Sequence, residues 1–134
     1  MAVEDTNLKE SILAAMSALG DIRLVILFGS VATGRANRES DLDLAVDAGH
    51  RLTSGEKMIL ISSLAERTGR PVDLVDLHEA GEPLLGQILR DGKRILGSDL
   101  RYGEWIRKHL FDQADYLPYR HRILAERRRA WIGK

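Results

Sequence analysis

The sequence predicts an α/β (α+β) fold: a short mixed sheet flanked by helices, with a C-terminal helical tail. Three observations predict it. Short runs rich in branched residues are interleaved with longer stretches of helical periodicity. Glycine, proline and capping residues fall at the junctions. The chain's 134 residues, 44% hydrophobic and 30% charged, suit one ordinary globular domain with a real core. A single domain over 1–134 is therefore expected, with its core at about 8–101 and the tail at about 102–134.

Each element has its own signal. Leu8, Ile12, Leu13, Met16 and Leu19 recur at helical spacing and predict a first helix closed by Gly20. Ile22 to Phe28 is short and rich in branched residues, so it reads as a buried strand. Gly29 and Gly34 punctuate the next loop, in which Ser30 to Thr33 form a helical turn. Asp41 to Val46 alternates polar and apolar, as a second strand does. Thr53 with Glu56 makes a capping box for a helix through Arg67, with Gly69 beyond its end. Pro71 to Asp76 is a third strand, Glu82 to Arg90 a helix, and Lys93 to Leu96 a short edge strand. From Asp99 onward the pattern is helical, broken at Leu117-Pro118.

Bulk properties narrow the function. A formal net charge of +0 argues against residence on a long nucleic acid, and no stable nucleic-acid binding is expected. With no cysteine, disulfides, thiolate zinc sites and cysteine nucleophiles are excluded. No stretch approaches the ~18 apolar residues of a membrane span, and the start of the chain lacks the pattern of a secretory leader. The expected address is the cytoplasm. The four histidines are scattered without ligand spacing, so surface or core roles are expected for them.

The chemistry concentrates in LFGS-VATGRANRES-DLDL. Gly29 lacks the Cβ that would hold an anion away from the backbone, and Ser30 adds a hydroxyl and an N–H. Asp41 and Asp43, two apart on a strand, share a face with Cα atoms roughly 6.5–7 Å apart. Their carboxylates can converge on a hard divalent cation, or on two ions about 3.5–4 Å apart. Leu42, Leu44 and Val46 then point to the core. Asp73 leads the candidates for a third carboxylate, a ligand that could also accept the proton of an attacking hydroxyl. Asp76 and Asp47 are its rivals; as strand-end residues they more commonly cap turns or face solvent. Arg35 and Arg38 stand between the two halves, either neutralising a triphosphate or sitting solvated in the loop. No Gly-Lys-Ser/Thr follows Gly34 and no serine elbow is present, so neither a Walker loop nor a serine triad is indicated.

Gly-Ser, ten residues, then Asp-x-Asp on a strand, with a later strand aspartate, resembles the DNA polymerase β-like nucleotidyltransferase superfamily. Within it the chain is similar to the minimal nucleotidyltransferase (MNT) antitoxins of HEPN–MNT toxin–antitoxin modules, on its length, GSVATG, and VDLVDLHEAGEPLLGQILRDGKRIL. The likeness covers roughly Leu8 to Arg101. It implies the polymerase β-like fold, with Asp41 and Asp43 binding Mg²⁺ (two ions, Mn²⁺ as an alternative) and Asp73 completing the metal site and activating the acceptor. It implies Gly29, Ser30, Arg35 and Arg38 at the nucleotide, although Val31 stands where the family often carries arginine. The implied reaction moves AMP from ATP to a tyrosine hydroxyl of a cognate HEPN ribonuclease toxin, neutralising it and releasing pyrophosphate. The competing readings are an aminoglycoside-type small-molecule transferase and a non-catalytic antitoxin that occludes its toxin.

In the tail, Leu100, Ile106, Leu110 and Leu117 form an apolar stripe beside Trp105 and Phe111. Leu124 and Trp131 share a face edged by Arg120, Arg122 and Arg127 to Arg129. This region reads as a packing helix with a basic side, or as a docking surface for an acidic partner.

Overall fold

The computed structural model describes the backbone of residues 2–34 and 40–112, and their side chains from residue 7 onward. Its elements run α1 (Ala2–Met16), β1 (Leu24–Phe28), α2 (Gly29–Ala32), β2 (Leu42–Asp47), α3 (Ser54–Thr68), β3 (Val72–Asp76), α4 (Leu84–Asp91) and β4 (Lys93–Leu96). Residues 99–112 form a further helix, α5. Arg35, Arg38, Leu117-Pro118, Leu124, Trp131 and the tail arginines lie outside the described residues.

The strands form one mixed sheet in the order β3-β2-β1-β4. β1 pairs antiparallel with β2 and β4, while β2 and β3 run parallel, as a crossover through α3 allows. The register aligns Phe28 with Asp43, and Asp43 with Asp73. One face of the sheet, with Val25, Leu27, Leu42, Leu44 and Val46, packs on α1 and α3 through Ile12, Met16, Leu60 and Leu64. The other carries Leu24, Ile26 and Ala45, covered by Leu85, Ile88, Leu89 and Trp105 of α4 and α5. Asp43 and Asp47 flank Ala45 two residues to either side and belong to this second face.

Local signals explain most boundaries. The Thr53 hydroxyl accepts from Glu56 N–H at 3.1 Å, and the Glu56 carboxylate accepts from Thr53 N–H at 2.9 Å. Gly69 ends α3 at a φ of 67°, the left-handed region that favours glycine. The second strand keeps its expected alternation, but its bounds lie one residue later than expected. It begins at Leu42, whose N–H bonds to Pro71 O at 2.7 Å, and so leaves Asp41 just outside the sheet. Trp105 is the buried anchor of α5 at 5% exposure, whereas Leu100, Leu110 and Phe111 stay exposed.

Asp47 caps a turn, as expected of a strand-end aspartate, but does much more. It is fully buried, and it accepts hydrogen bonds from Gly49 N–H at 2.7 Å, Trp105 Nε1–H at 2.8 Å and Arg101 Nε–H, and pairs with His78 Nε2 at 2.7 Å. Burial pushes its carboxyl up. The bonds from Arg101, Trp105, Gly49 and His78 outweigh burial and hold it well below the usual carboxylate range. Asp76, also buried, does cap turns: it accepts from Leu52 N–H at 2.7 Å and His78 N–H at 3.0 Å.

Asp47→Asn should lower stability by about 2–4 kcal/mol at neutral pH, because an amide cannot accept from all these donors. The depressed native pKa means that Asp47 stabilises the fold above the unfolded value of about 3.9 and loses that contribution as pH falls below it. Urea unfolding between pH 7 and pH 3 should therefore show a smaller acid-induced loss in the variant than in the wild type.

Candidate active site

Asp43 owes its position to the end of the β1–β2 pairing. It faces Phe28, the last residue of β1, and the chain must turn at once into α2 through Gly29. A Cβ on Gly29 would lie 2.1 Å from Asp43 Oδ2 and 3.2 Å from Asp43 Cβ, so the carboxylate occupies the space a side chain would need. The φ of Gly29 is +75°, which independently favours glycine. Ser30 follows on the exposed rim of this turn, and Thr33 donates back to Ser30 O at 3.2 Å, tightening it.

The acidic residues converge here. Asp43 is partly buried, and Asp41 and Asp73 are exposed on either side of it. Burial pushes the Asp43 carboxyl above its ordinary value, and the Asp73 charge, a hydrogen bond with Asp73 and the Asp41 charge all push the same way. Like charges that oppose one another's ionisation define an anionic centre awaiting a proton or a cation. Among the described residues, no three acidic or histidine side chains are already gathered around one point as a ligand set. Asp43 and Asp73 turn toward each other instead. Their oxygen-only donors suit a hard divalent cation.

A cavity of about 430 Å³ borders the Gly29 turn. It is lined by Phe28, Gly29 and Ser30 together with Leu84, Gln87, Arg90 and Asp91 of α4, among others. The structure thus brings Gly29, Ser30, Asp41, Asp43 and Asp73 to one end of one sheet face. Asp47 and Asp76 are tied into the fold elsewhere, and among the described residues the histidines form no ligand cluster. The α4 wall carried no signal in the sequence beyond its helical pattern, since it lies more than fifty residues from Ser30 and reaches the site only through the fold.

A glycine turn against paired carboxylates on adjacent strands, beside a cavity, is an arrangement that suits metal-assisted phosphate chemistry. The chain belongs to the polymerase beta nucleotidyltransferase family, whose model matches residues 10–101. The protein adenylyltransferase MntA of Shewanella oneidensis is 38% identical over 77 residues, which are 58% of this chain and 55% of that protein. The match thus spans about half the length of that relative. Among solved structures, a chain of a toxin–antitoxin with AMP-PNP superposes with a TM-score of 0.76 at 28% identity, covering 88% of this chain and 96% of that one. A chain from a tri-AMPylated Shewanella oneidensis HEPN toxin in complex with MNT antitoxin gives 0.71 at 25% identity, covering 89% and 94%.

Gly29→Ala should separate site from fold. The left-handed backbone costs about 1–2 kcal/mol for alanine, while the new methyl displaces the mobile end of Asp43. Denaturant unfolding should show that modest loss, and calorimetric titration with a nucleoside triphosphate and Mg²⁺ should show binding reduced to background.

Proposed function

We propose that this protein is a protein adenylyltransferase serving as an antitoxin, moving AMP from ATP to a tyrosine hydroxyl of a HEPN-domain toxin in the cytoplasm. The observation that carries this reading is the carboxylate of Asp43 packed against Gly29, with the charges of Asp73 and Asp41 acting on it. The likenesses to MntA and to the AMP-PNP-bound and AMPylated toxin–antitoxin complexes supply the nucleotide and the acceptor.

Asp41, Asp43 and Asp73 would hold Mg²⁺ as one or two ions, or Mn²⁺ in its place. Bound there, the metal stabilises charge on the attacking and leaving oxygens of an in-line displacement. Gly29 admits the triphosphate close to the backbone, and the Ser30 hydroxyl and N–H bind its oxygens. Arg35 and Arg38, in the intervening loop, remain candidates for its charge. Asp73, exposed on β3, takes the proton of the acceptor hydroxyl. The acceptor oxygen bonds to the α-phosphorus, the bond from that phosphorus to the bridging oxygen breaks, and pyrophosphate departs.

Intact mass spectrometry of the toxin after incubation with ATP and Mg²⁺ tests this directly. Whole AMP masses should appear with the wild type and fall by about 10²–10³-fold or more with Asp41→Asn, Asp43→Asn or Asp73→Asn. A toxin that stays unmodified but bound would replace transfer by occlusion.

Asp43 carries a second signature. Its raised native pKa means that the ionised group costs stability above that pKa, and the cost vanishes as pH falls through it. Asp43→Asn should therefore be more stable than the wild type at neutral pH without metal. It should gain nothing from saturating Mg²⁺ and AMP-PNP, while the wild type gains about 2.7 kcal/mol at a hundredfold excess over Kd. Urea unfolding with and without the ligands reads both effects.

A further inference from the structure

We propose that Arg90 of α4 binds the β- and γ-phosphates and holds the departing pyrophosphate; this rests on the adenylyl-transfer reading above. The argument is one of direction. Asp73 on β3, Asp43 on β2 and the Phe28–Gly29 step on β1 lie in register on one sheet face, with adjacent strands about 4.8 Å apart. In-line displacement puts the attacking oxygen, the phosphorus and the leaving oxygen on one line. With the acceptor proton passing to Asp73 at the β3 end of the row, the leaving oxygen points across β2 toward Gly29. At that β1 end of the row, Phe28, Gly29 and Ser30 line the cavity of about 430 Å³ walled by α4.

Among the described residues lining that cavity, Arg90 is the cation. Val31, directly after Ser30, is packed against the core and supplies no charge. Arg90 bonds to the neighbouring Asp91 at 3.2 and 3.3 Å, with the two side chains 72% and 61% exposed. An exposed pair of this kind contributes little and is readily exchanged. The guanidinium fork matches phosphate oxygens far better than a solvated carboxylate that is its own chain neighbour.

The placement of Arg90 is fixed by packing. Gly92, immediately after α4, lets the helix end press on β1: a Cβ there would fall 2.4 Å from Ile26 Cγ2 and 3.2 Å from Leu27 O. Lys93 then pairs with Leu27, two residues before Gly29. The backbone that carries Arg90 is thereby anchored beside the Gly29 turn.

The test uses the full chain with Arg90→Gln, Arg90→Lys and Asp91→Asn, titrated calorimetrically with pyrophosphate, AMP-PNP and AMP in the presence of Mg²⁺. Arg90→Gln should weaken pyrophosphate and AMP-PNP about 10- to 100-fold, the value of a lost charged hydrogen bond, and leave AMP and the melting temperature unchanged. In transfer assays it should raise KM for ATP and not for the acceptor protein. Arg90→Lys should fall between, and Asp91→Asn should keep or gain pyrophosphate affinity. Pyrophosphate affinity equal to wild type, an equal loss for AMP, or a change confined to the acceptor's KM would overturn the assignment while leaving adenylyl transfer standing. A wild type that binds none of the three ligands would instead overturn the transfer reading, and this one with it.

Discussion

The carboxylate of Asp43 sits where any other residue at position 29 would carry its Cβ, and the site's geometry follows from that contact. For the contact to exist, β1 must end at Phe28 in register with Asp43, and the chain must then turn with a backbone conformation open to glycine. The same turn exposes Ser30 and opens the cavity toward α4. Two strands, a glycine and an acid are therefore one device: the glycine turn proposed to admit an anion and the carboxylate proposed to bind its counter-cation cannot be placed independently. A metal-escorted polyphosphate needs both within one step of the chain.

Asp43 and Asp47 show what the fold does with charge. They stand on the same strand and the same face, four residues apart. Asp47 lies beneath α5 and is compensated by Arg101, Trp105, Gly49 and His78, so its ionised form stabilises the protein. Asp43 lies beyond the cover of α4 and α5, and the groups that act on it are other acids. One charge is satisfied internally and the other is left in want of a partner. Stability is the expected reason for the first arrangement, and ligand binding for the second, because an unsatisfied anionic cluster costs folding energy until a cation arrives. The donors within reach, rather than residue type, decide between them.

This contrast marks how far the sequence can be read. The helix capped by Thr53 and Glu56, the edge strand Lys93–Leu96 and the Gly29–Ser30 turn rest on local chemistry, and local chemistry is written in neighbouring residues. The nearness of Asp43 to Gly29 was legible for the same reason: the two lie within fifteen residues, and strand alternation puts Asp43 on the face away from Leu42 and Leu44. The role of Asp47 was not legible, because its donors come from positions 78, 101 and 105 and meet only once α5 docks. The one-residue shift that leaves Asp41 outside β2 is likewise a tertiary effect, set by the Leu42 bond to Pro71. The same holds for the α4 wall of the cavity, which reaches Gly29 through a sheet pairing rather than along the chain.

Sheet order bears on the kind of acceptor. β4 and the helices over it close the β1 side of the site, whereas β3 is the other edge of the sheet and carries Asp73 exposed near its start. A small acceptor would need walls on that edge to hold it still, since a hydroxyl in free solution forfeits the advantage of a fixed approach. Among the described residues nothing stands beyond β3 in the sheet. A protein acceptor brings its own walls: docking of its surface fixes the tyrosine and excludes water at once, and an open edge is what it requires. On the proposed reading, the exposed position of Asp73 on an edge strand suits a macromolecular hydroxyl that docks against it.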